Sequence, residues 1–379
     1  MNILFVSEYF PKSNDCEVHG GVEARAFYLS KELSLLNHNV FVLTSKERDY
    51  PKEQNIGGVK VFRPGKERDF LLGGSFGRAS LLKNILQFKS DAQVDIVDSQ
   101  NVLTHLVSFH LASRYRAKKI ATYHDVWTGK WLKNVGSFWG ILGEIGERWV
   151  LKRNWDCFVA VSNYTRNKLI KNGIDDSKIR VIKNGIDLSL IEKIKVTKEK
   201  NPTICFIGRL YPYKRVDLLL EAVALLSSKI PEVRLKVIGS GPQLKELKDL
   251  SKRLKIKNRV SFLGFIPKHK DVLANLKSSH VFSLPSEVEG SGIATIEAMA
   301  LGVPFVSSNI PATSEVTRNG TGGLLFNKGN SIDLSSKIER LFNDNEFYKR
   351  SSFEAQNLSK GYDWKIIVKD LEKLYNGLI

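Results

Sequence analysis

Short apolar runs alternate with helix-period segments along this chain, and the alternation occurs twice. In the first half, residues 3–6, 40–43, 59–62, 95–97, 119–123, 157–161 and 180–182 read as strands. Helical spacing separates several of them, as in residues 24–36. A polar, basic stretch at 189–202 interrupts the rhythm and has the composition of an exposed connector. The pattern then restarts, with strands at 203–207, 234–238, 259–262, 280–283 and 304–306 and helices at 216–227 and 243–254. This order of elements is that of a parallel sheet with helices on its faces. The expectation is an α/β chain of two facing Rossmann-like domains, 1–186 and 187–362, with a helix at 363–379 packing back on the first. Such sheets bind ligands beyond the carboxyl ends of their strands, so each domain would form one wall of a central cleft.

The bulk numbers agree with two globular domains. The chain has 379 residues, 42% of them hydrophobic and 26% charged, which excludes a disordered chain. Three scattered cysteines (Cys16, Cys157, Cys205) form no CxxC pair, which argues against a disulfide framework or a zinc site and for a reducing, cytoplasmic home. The first residues read as a buried strand without a basic leader, and no run of 18 apolar residues exists to span a membrane. The net charge of +18 suits nucleic acid, an anionic membrane surface or anionic small molecules. The cations are spread evenly, with no basic stripe, recognition helix or zinc pattern, so a nucleic-acid partner is not favoured.

Four segments carry candidate chemistry. Gly20-Gly21-Val22-Glu23 precedes a helical pattern, and paired glycines there let a helix N-terminus approach an anion, although a simple turn explains them as well. Gly208-Arg209 ends a strand and Lys214 follows, so a bidentate fork and a point charge stand where a diphosphate would lie; solvated surface cations are the bland alternative. Glu289-Gly290-Ser291-Gly292-Ile293 leads into a helix carrying Glu297, placing two carboxylates eight residues apart around a glycine turn. The freed backbone can point N–H groups at an anion, and Glu297, one turn in, can accept from vicinal hydroxyls such as a ribose diol. Its apolar neighbours imply burial, so Glu297 needs a partner. Last, His124 closes a first-domain strand, where a structural and a functional histidine are both reasonable.

Taken together, these segments resemble glycosyltransferase family 4, of GT-B fold and retaining stereochemistry. The resemblance runs from Gly20-Gly21-Val22-Glu23 to Gly361-Tyr362-Asp363-Trp364 and includes Val161-Ser162-Asn163, Asn184-Gly185-Ile186-Asp187, Gly239-Ser240-Gly241 and the paired-glutamate segment. It implies that Arg209 and Lys214 bind a donor diphosphate, that Glu297 binds the nucleotide ribose, and that Glu289 with Gly290, Ser291, Gly292 and Ile293 lies at the donor sugar and phosphates. Gly20, Gly21 and Gly208 would line the diphosphate, His124 would approach the transferred sugar, and Phe265 and Ile266 would touch the base. Ser291 departs from the family, where an aromatic or other apolar residue is common, which points to an altered sugar pocket. Lys183 stands where proline is common before Asn184-Gly185, a difference at the hinge.

The resemblance implies retention without an enzymic nucleophile, so the demand is to stabilise the departing diphosphate. No Asp-x-Asp follows a strand, so neither a metal nor another cofactor is called for beyond the UDP- or GDP-sugar co-substrate. Five of six tryptophans (Trp127, Trp131, Trp139, Trp149, Trp155) fall within 29 residues, among Lys130, Lys133, Arg148, Lys152 and Arg153. Residues 60–89 add seven cations around Phe70-Leu71-Leu72 and Phe76. Aromatics mixed with cations suit an anionic membrane surface and a lipid-linked glycan or other glycoconjugate acceptor, whereas ordinary core is the competing account of the tryptophans. A nucleotide-sugar epimerase of the same fold is the enzymic alternative; it would need no acceptor.

Overall fold

The computed structural model describes residues 1–14, 20–67, 75–89, 93–132 and 136–379. Cys16, Phe70, Leu71, Leu72 and Lys133 lie outside the described residues. The chain divides into two compact units, one formed by Met1–Asn184 with Trp364–Ile379 and the other by Gly185–Asp363.

The sheet of the first unit holds β1 (Asn2–Val6), β2 (Asn39–Leu43), β3 (Glu53–Ile56), β4 (Val59–Phe62), β5 (Ile96–Ser99), β6 (Lys118–Tyr123), β7 (Cys157–Ala160) and β8 (Ile179–Val181). Their order is β3-β4-β2-β1-β5-β6-β7-β8. Every neighbouring pair is parallel except β3 with β4. A parallel strand is covered on both faces, and β5 and β7 are accordingly buried at every position. β3 was absent from the sequence reading: its residues Glu53, Gln54 and Asn55 are polar because an edge strand buries little.

The helix Trp364–Asn376 completes this unit. Its buried residues Trp364, Ile367, Val368, Leu371 and Tyr375 recur at three- and four-residue spacing, which makes one apolar stripe. The Trp364 ring stacks on Tyr28 of the helix Gly21–Leu35 at 5.8 Å. At the far end the Tyr375 hydroxyl donates to Asp98 Oδ2 at 2.6 Å. Thr122 Oγ1 and Gln100 Nε2 donate to Asp98 Oδ1 at 2.7 and 2.8 Å. Burial lifts the Asp98 carboxyl to about 6, against the lowering pull of the Tyr375 and Thr122 hydrogen bonds and of Arg25. The last helix is thus tied into the polar centre of the sheet as well as its apolar face.

The second unit carries β9 (Thr203–Ile207), β10 (Arg234–Ile238), β11 (Val260–Gly264), β12 (Val281–Leu284), β13 (Phe305–Ser308) and β14 (Gly323–Phe326). The order is β11-β10-β9-β12-β13-β14, wholly parallel. Strand β14 also went unread, being a four-residue edge strand that opens on glycine. The expected connector at 189–202 needs correction at its start. A short helix spans Leu188–Glu192, and Ile191 and Ile194 sink into the core of this unit. Two isoleucines three residues apart share one helical side, which a composition average over the surrounding lysines conceals.

Replacing Tyr375 by phenylalanine removes one donor from a buried carboxylate and should cost about 1–3 kcal/mol near neutral pH. The folded-state pKa of Asp98 lies above the ordinary value of 3.8, so protonation as pH falls through about 6 favours the native state. The deficit of Tyr375→Phe relative to wild type should therefore shrink below pH 6 as the carboxylate becomes neutral. Urea unfolding of both proteins across that range checks this, and a pH-independent deficit would contradict it.

Candidate active site

The second sheet reverses its strand order between β9 and β12, each of which continues outward in opposite directions. At such a point the crossover connections lie on opposite faces, and the loops at the carboxyl ends part to leave a crevice. The loops that follow β9 and β12 hold Gly208, Arg209 and Lys214 on one side and Glu289 to Ile293 on the other. Topology therefore assembles the sequence-selected residues of this unit.

Backbone packing fixes the first loop. Gly208 N–H donates to the Ile238 carbonyl at 3.0 Å, Leu210 N–H to Ser240 at 2.9 Å, and Gly239 N–H to Gly264 at 2.7 Å. The ends of β9, β10 and β11 are thus laced together. Gly239 sits at φ 130°, and a Cβ there would lie 2.0 Å from the Gly208 carbonyl oxygen. Only glycine fits, both for its backbone angle and for the space.

The two loops across the crevice are joined by charge. Lys214 Nζ meets Glu289 Oε1 at 2.5 Å, and both side chains are largely buried. Arg215 Nη1 meets Glu287 Oε1 at 2.8 Å and also holds Asp217, and these hydrogen bonds raise its pKa further. The Glu287 N–H donates to the Tyr213 carbonyl at 2.8 Å. Arg209 differs: it is exposed, its guanidinium lies 5.5 Å over the Tyr211 ring, and it pairs with no carboxylate among the described residues. So of the two cations selected from sequence, Lys214 is paired and Arg209 has no carboxylate partner among the described residues.

Gly292 takes φ 67° and begins the helix Ile293–Ala300. That left-handed turn is what lets the chain pass from β12 into a helix whose N-terminal N–H groups face the loop. Ser291 is buried beside it. Glu297, one turn in, is also buried and is bonded to His269 Nε2 at 2.7 Å. The partner that a buried carboxylate required is therefore His269, which opens the helix His269–Ser278 and was missed by the sequence reading. No local pattern marks it, because the contact spans 28 residues. Ile266 packs on the core of this unit, and Phe265 beside it is exposed.

In the first unit, Gly21 starts the helix Gly21–Leu35, and Gly20 stands before it in extended backbone with open space around its α-carbon. Among the described residues, none approaches the place a Cβ on Gly20 would take. His124 follows β6, and its Nε2 is buried without a hydrogen-bond partner among the described residues. Burial, and then the positive charge of Arg25, hold the imidazole down to about 3, so it is neutral at physiological pH. Arg25 is itself buried, bonding the Lys183 carbonyl at 2.8 Å and Asn184 Oδ1 at 2.9 Å. It was not selected from sequence, yet its charge adds to the burial that keeps His124 neutral.

Comparison with known proteins bears on this arrangement. The family model described as Glycosyltransferase Family 4 matches residues 19–190, and that described as Glycosyl transferases group 1 matches residues 189–358. The chain belongs to glycosyltransferase family 4. An uncharacterized glycosyltransferase of Haemophilus influenzae is 34% identical over 48% of this chain and 50% of its own. Another, of Methanocaldococcus jannaschii, is 26% identical over 99% of this chain and 98% of its own. Among solved structures, Anabaena HepE in complex with UDP and glucose is similar over the full length of both chains, with 20% identity and a TM-score of 0.78. The two parallel-sheet units are those of the GT-B fold, and the enzyme is a glycosyltransferase. Family membership decides for transfer over the epimerase alternative.

Substituting Gly239 by alanine forces a Cβ into the Gly208 carbonyl and should displace the loop that carries Arg209. A loss of about 2–4 kcal/mol of stability is expected from combined backbone strain and overlap. Thermal unfolding measures the loss; the alanine variant matching wild type would mean the three strand ends are not rigidly laced.

Proposed function

We propose that this glycosyltransferase is a retaining hexosyltransferase that takes a glucosyl- or mannosyl-type residue from a UDP- or GDP-sugar. The observation that carries the reading is the exposed guanidinium of Arg209, without a carboxylate partner among the described residues, at the same crevice as the paired Lys214 and Glu289. A diphosphate brings two or more negative charges, and a cation already neutralised by a carboxylate cannot alone balance them. Arg209 is the unspent charge, and the N-terminal N–H groups of the helix Ile293–Ala300 add donors beside it. The UDP complex of HepE, a protein of the same fold, supports a uridine donor.

In this reading the diphosphate lies against Gly208, with Arg209 and Lys214 stabilising the charge that grows on the leaving group. Lys214 would exchange part of its bond with Glu289 for the phosphate, freeing Glu289 to face the sugar hydroxyls. Gly290, Ser291, Gly292 and Ile293 supply backbone donors, and buried Ser291 shapes the sugar pocket. Glu297 accepts from the ribose diol, oriented by His269. Ile266, next to the exposed Phe265, would touch the base. Neutral His124, whose Nε2 has no hydrogen-bond partner among the described residues, is suited to hydrogen-bond a hydroxyl of the transferred sugar. The leaving phosphate oxygen would take the proton of the acceptor hydroxyl on the same face. These charges come from side chains, and the reading calls on no metal or other cofactor.

The acceptor we assign is a lipid-linked glycan or another glycoconjugate, met at the cytoplasmic face of an anionic membrane. Support comes from the charge of +18 and from the buried free thiols of Cys157 and Cys205, which suit a reducing compartment. Among the described residues no helix is long and apolar enough to cross a membrane.

The two cations separate experimentally. Arg209→Ala removes an exposed, unpaired side chain, so its melting temperature should stay within about 1–2 °C of wild type. Its transfer from a UDP- or GDP-sugar should nevertheless fall by about 10²- to 10³-fold. Lys214→Ala should lose activity and also stability, because it strands a buried Glu289. Wild-type turnover in Arg209→Ala would overturn the diphosphate assignment. For the ribose, Glu297→Gln should weaken UDP binding about tenfold while scarcely affecting a 2′,3′-dideoxy analogue. Equal weakening of both would remove Glu297 from the ribose.

A further inference from the structure

The helix Ser137–Leu151 is assembled inside out. At ~100° per residue, Gly140, Gly143, Glu147, Val150 and Leu151 fall on one side and Phe138, Ile141, Leu142 and Ile145 on the opposite side. The first side faces the protein. A Cβ on Gly143 would lie 2.4 Å from the Trp131 ring, and one on Gly140 would lie 2.8 Å from the Leu132 backbone. Buried Glu147 accepts from Trp131 Nε1 at 2.7 Å, from Thr128 Oγ1 at 3.0 Å and from the Trp127 N–H at 3.1 Å. Up to Glu147 the inner face is thus filled by glycines and a glutamate, apolar packing enters it only with Val150 and Leu151 at the end, and Phe138, Ile141, Leu142 and Ile145 are turned to solvent. Phe138, Ile141, Leu142 and Ile145 are 62, 49, 45 and 60% exposed, and Trp139 and Leu132 beside them are 44 and 56% exposed. An ordinary surface helix does the reverse.

The tryptophan-based expectation of membrane contact is sharpened by this. Trp155 is core, Trp149 packs against Phe109 and under Arg153, and Trp131 covers the glycine face. Among these five tryptophans only Trp139 joins the exposed apolar face.

We propose that the outward face of the helix Ser137–Leu151 inserts into the headgroup region of an anionic bilayer. The apolar arc carries no acidic side chain; Glu144 lies to its side and bonds Arg148 at 2.7 Å and the Gly129 N–H at 2.8 Å. Past Ile145 the same arc continues into Arg148 and exposed Lys152, with Arg153 next to it. Apolar residues followed by cations are the arrangement that lies in an anionic interface, with the apolar side ~5–10 Å deep. A second protein is a poorer fit. A 15-residue helix offers a ridge ~22 Å long, whereas a stable dimer buries about 800 Å² of well-packed surface on each partner. The proposal deepens the membrane-side reading of the acceptor, and its test uses neither donor nor acceptor.

Vesicles of equal parts phosphatidylglycerol and phosphatidylcholine at low salt are the probe. The full chain should co-sediment with them, and less with phosphatidylcholine alone or at high salt. The triple variant Phe138→Ser, Ile141→Ser, Ile145→Ser should partition at least about tenfold less. Its melting temperature and donor hydrolysis should hold, since these side chains are 62, 49 and 60% exposed and lie outside the core of the unit. In the wild-type background, brominated lipid should quench a component of fluorescence that Trp139→Phe removes. Three results would each overturn the proposal: no sedimentation of wild type with the mixed vesicles, equal sedimentation of the triple variant, or a wild-type dimer in ultracentrifugation that the triple variant dissolves. Loss of transfer in Arg209→Ala with vesicle binding intact keeps this question separate from the chemistry.

Discussion

A strand can follow another in parallel only by crossing over a face of the sheet, and this condition governs both units. Each crossover returns the chain to the same edge, so loops of one kind collect at the carboxyl ends of all the strands. Where the strand order reverses, between β9 and β12, two neighbouring loops are carried off in opposite directions and cannot fill the gap between them. The diglycine turn before the helix Gly21–Leu35, His124 after β6, Arg209 and Lys214 after β9, and Glu289 after β12 all stand at carboxyl ends. The chemistry of the enzyme is thus a consequence of strand direction before it is a matter of side chains.

Charge is then distributed by a second rule, that a carboxylate withdrawn from water keeps a partner. Glu289 has Lys214, Glu297 has His269, Glu147 has the Trp131 indole, and Asp98 has Tyr375, Thr122 and Gln100. These pairs do structural duty. Lys214 and Glu289 hold two loops together, and Tyr375 with Asp98 pins the last helix to the first sheet. Arg209 stands apart, exposed and without a carboxylate partner among the described residues, which leaves it available to an incoming anion.

Two helices of the first unit use apolar residues in opposite ways. Trp364–Asn376 turns its stripe inward and is held by burial. Ser137–Leu151 turns its stripe outward and is held by glycine contacts and by the hydrogen bonds to Glu147. Helical periodicity is present in both, and periodicity alone does not say which side of a helix the protein occupies.

The sequence by itself determined the class of fold, because alternating apolar runs and helical periods admit few alternatives to parallel sheets. It also marked Gly208, Arg209, Lys214, Glu289 and Glu297, because glycines and charges at strand ends are local patterns that survive without coordinates. The polar edge strand β3 and the short β14 left weak traces, since edge strands need little apolar surface. Only the tertiary structure decided which charges are spent and which are free. The partners of Glu289 and Glu297 lie 75 and 28 residues away, and such contacts have no signature in a chain read one residue at a time. The charge state of His124 was likewise decided by its burial, with the charge of Arg25 adding to it, and neither is contained in a one-dimensional pattern.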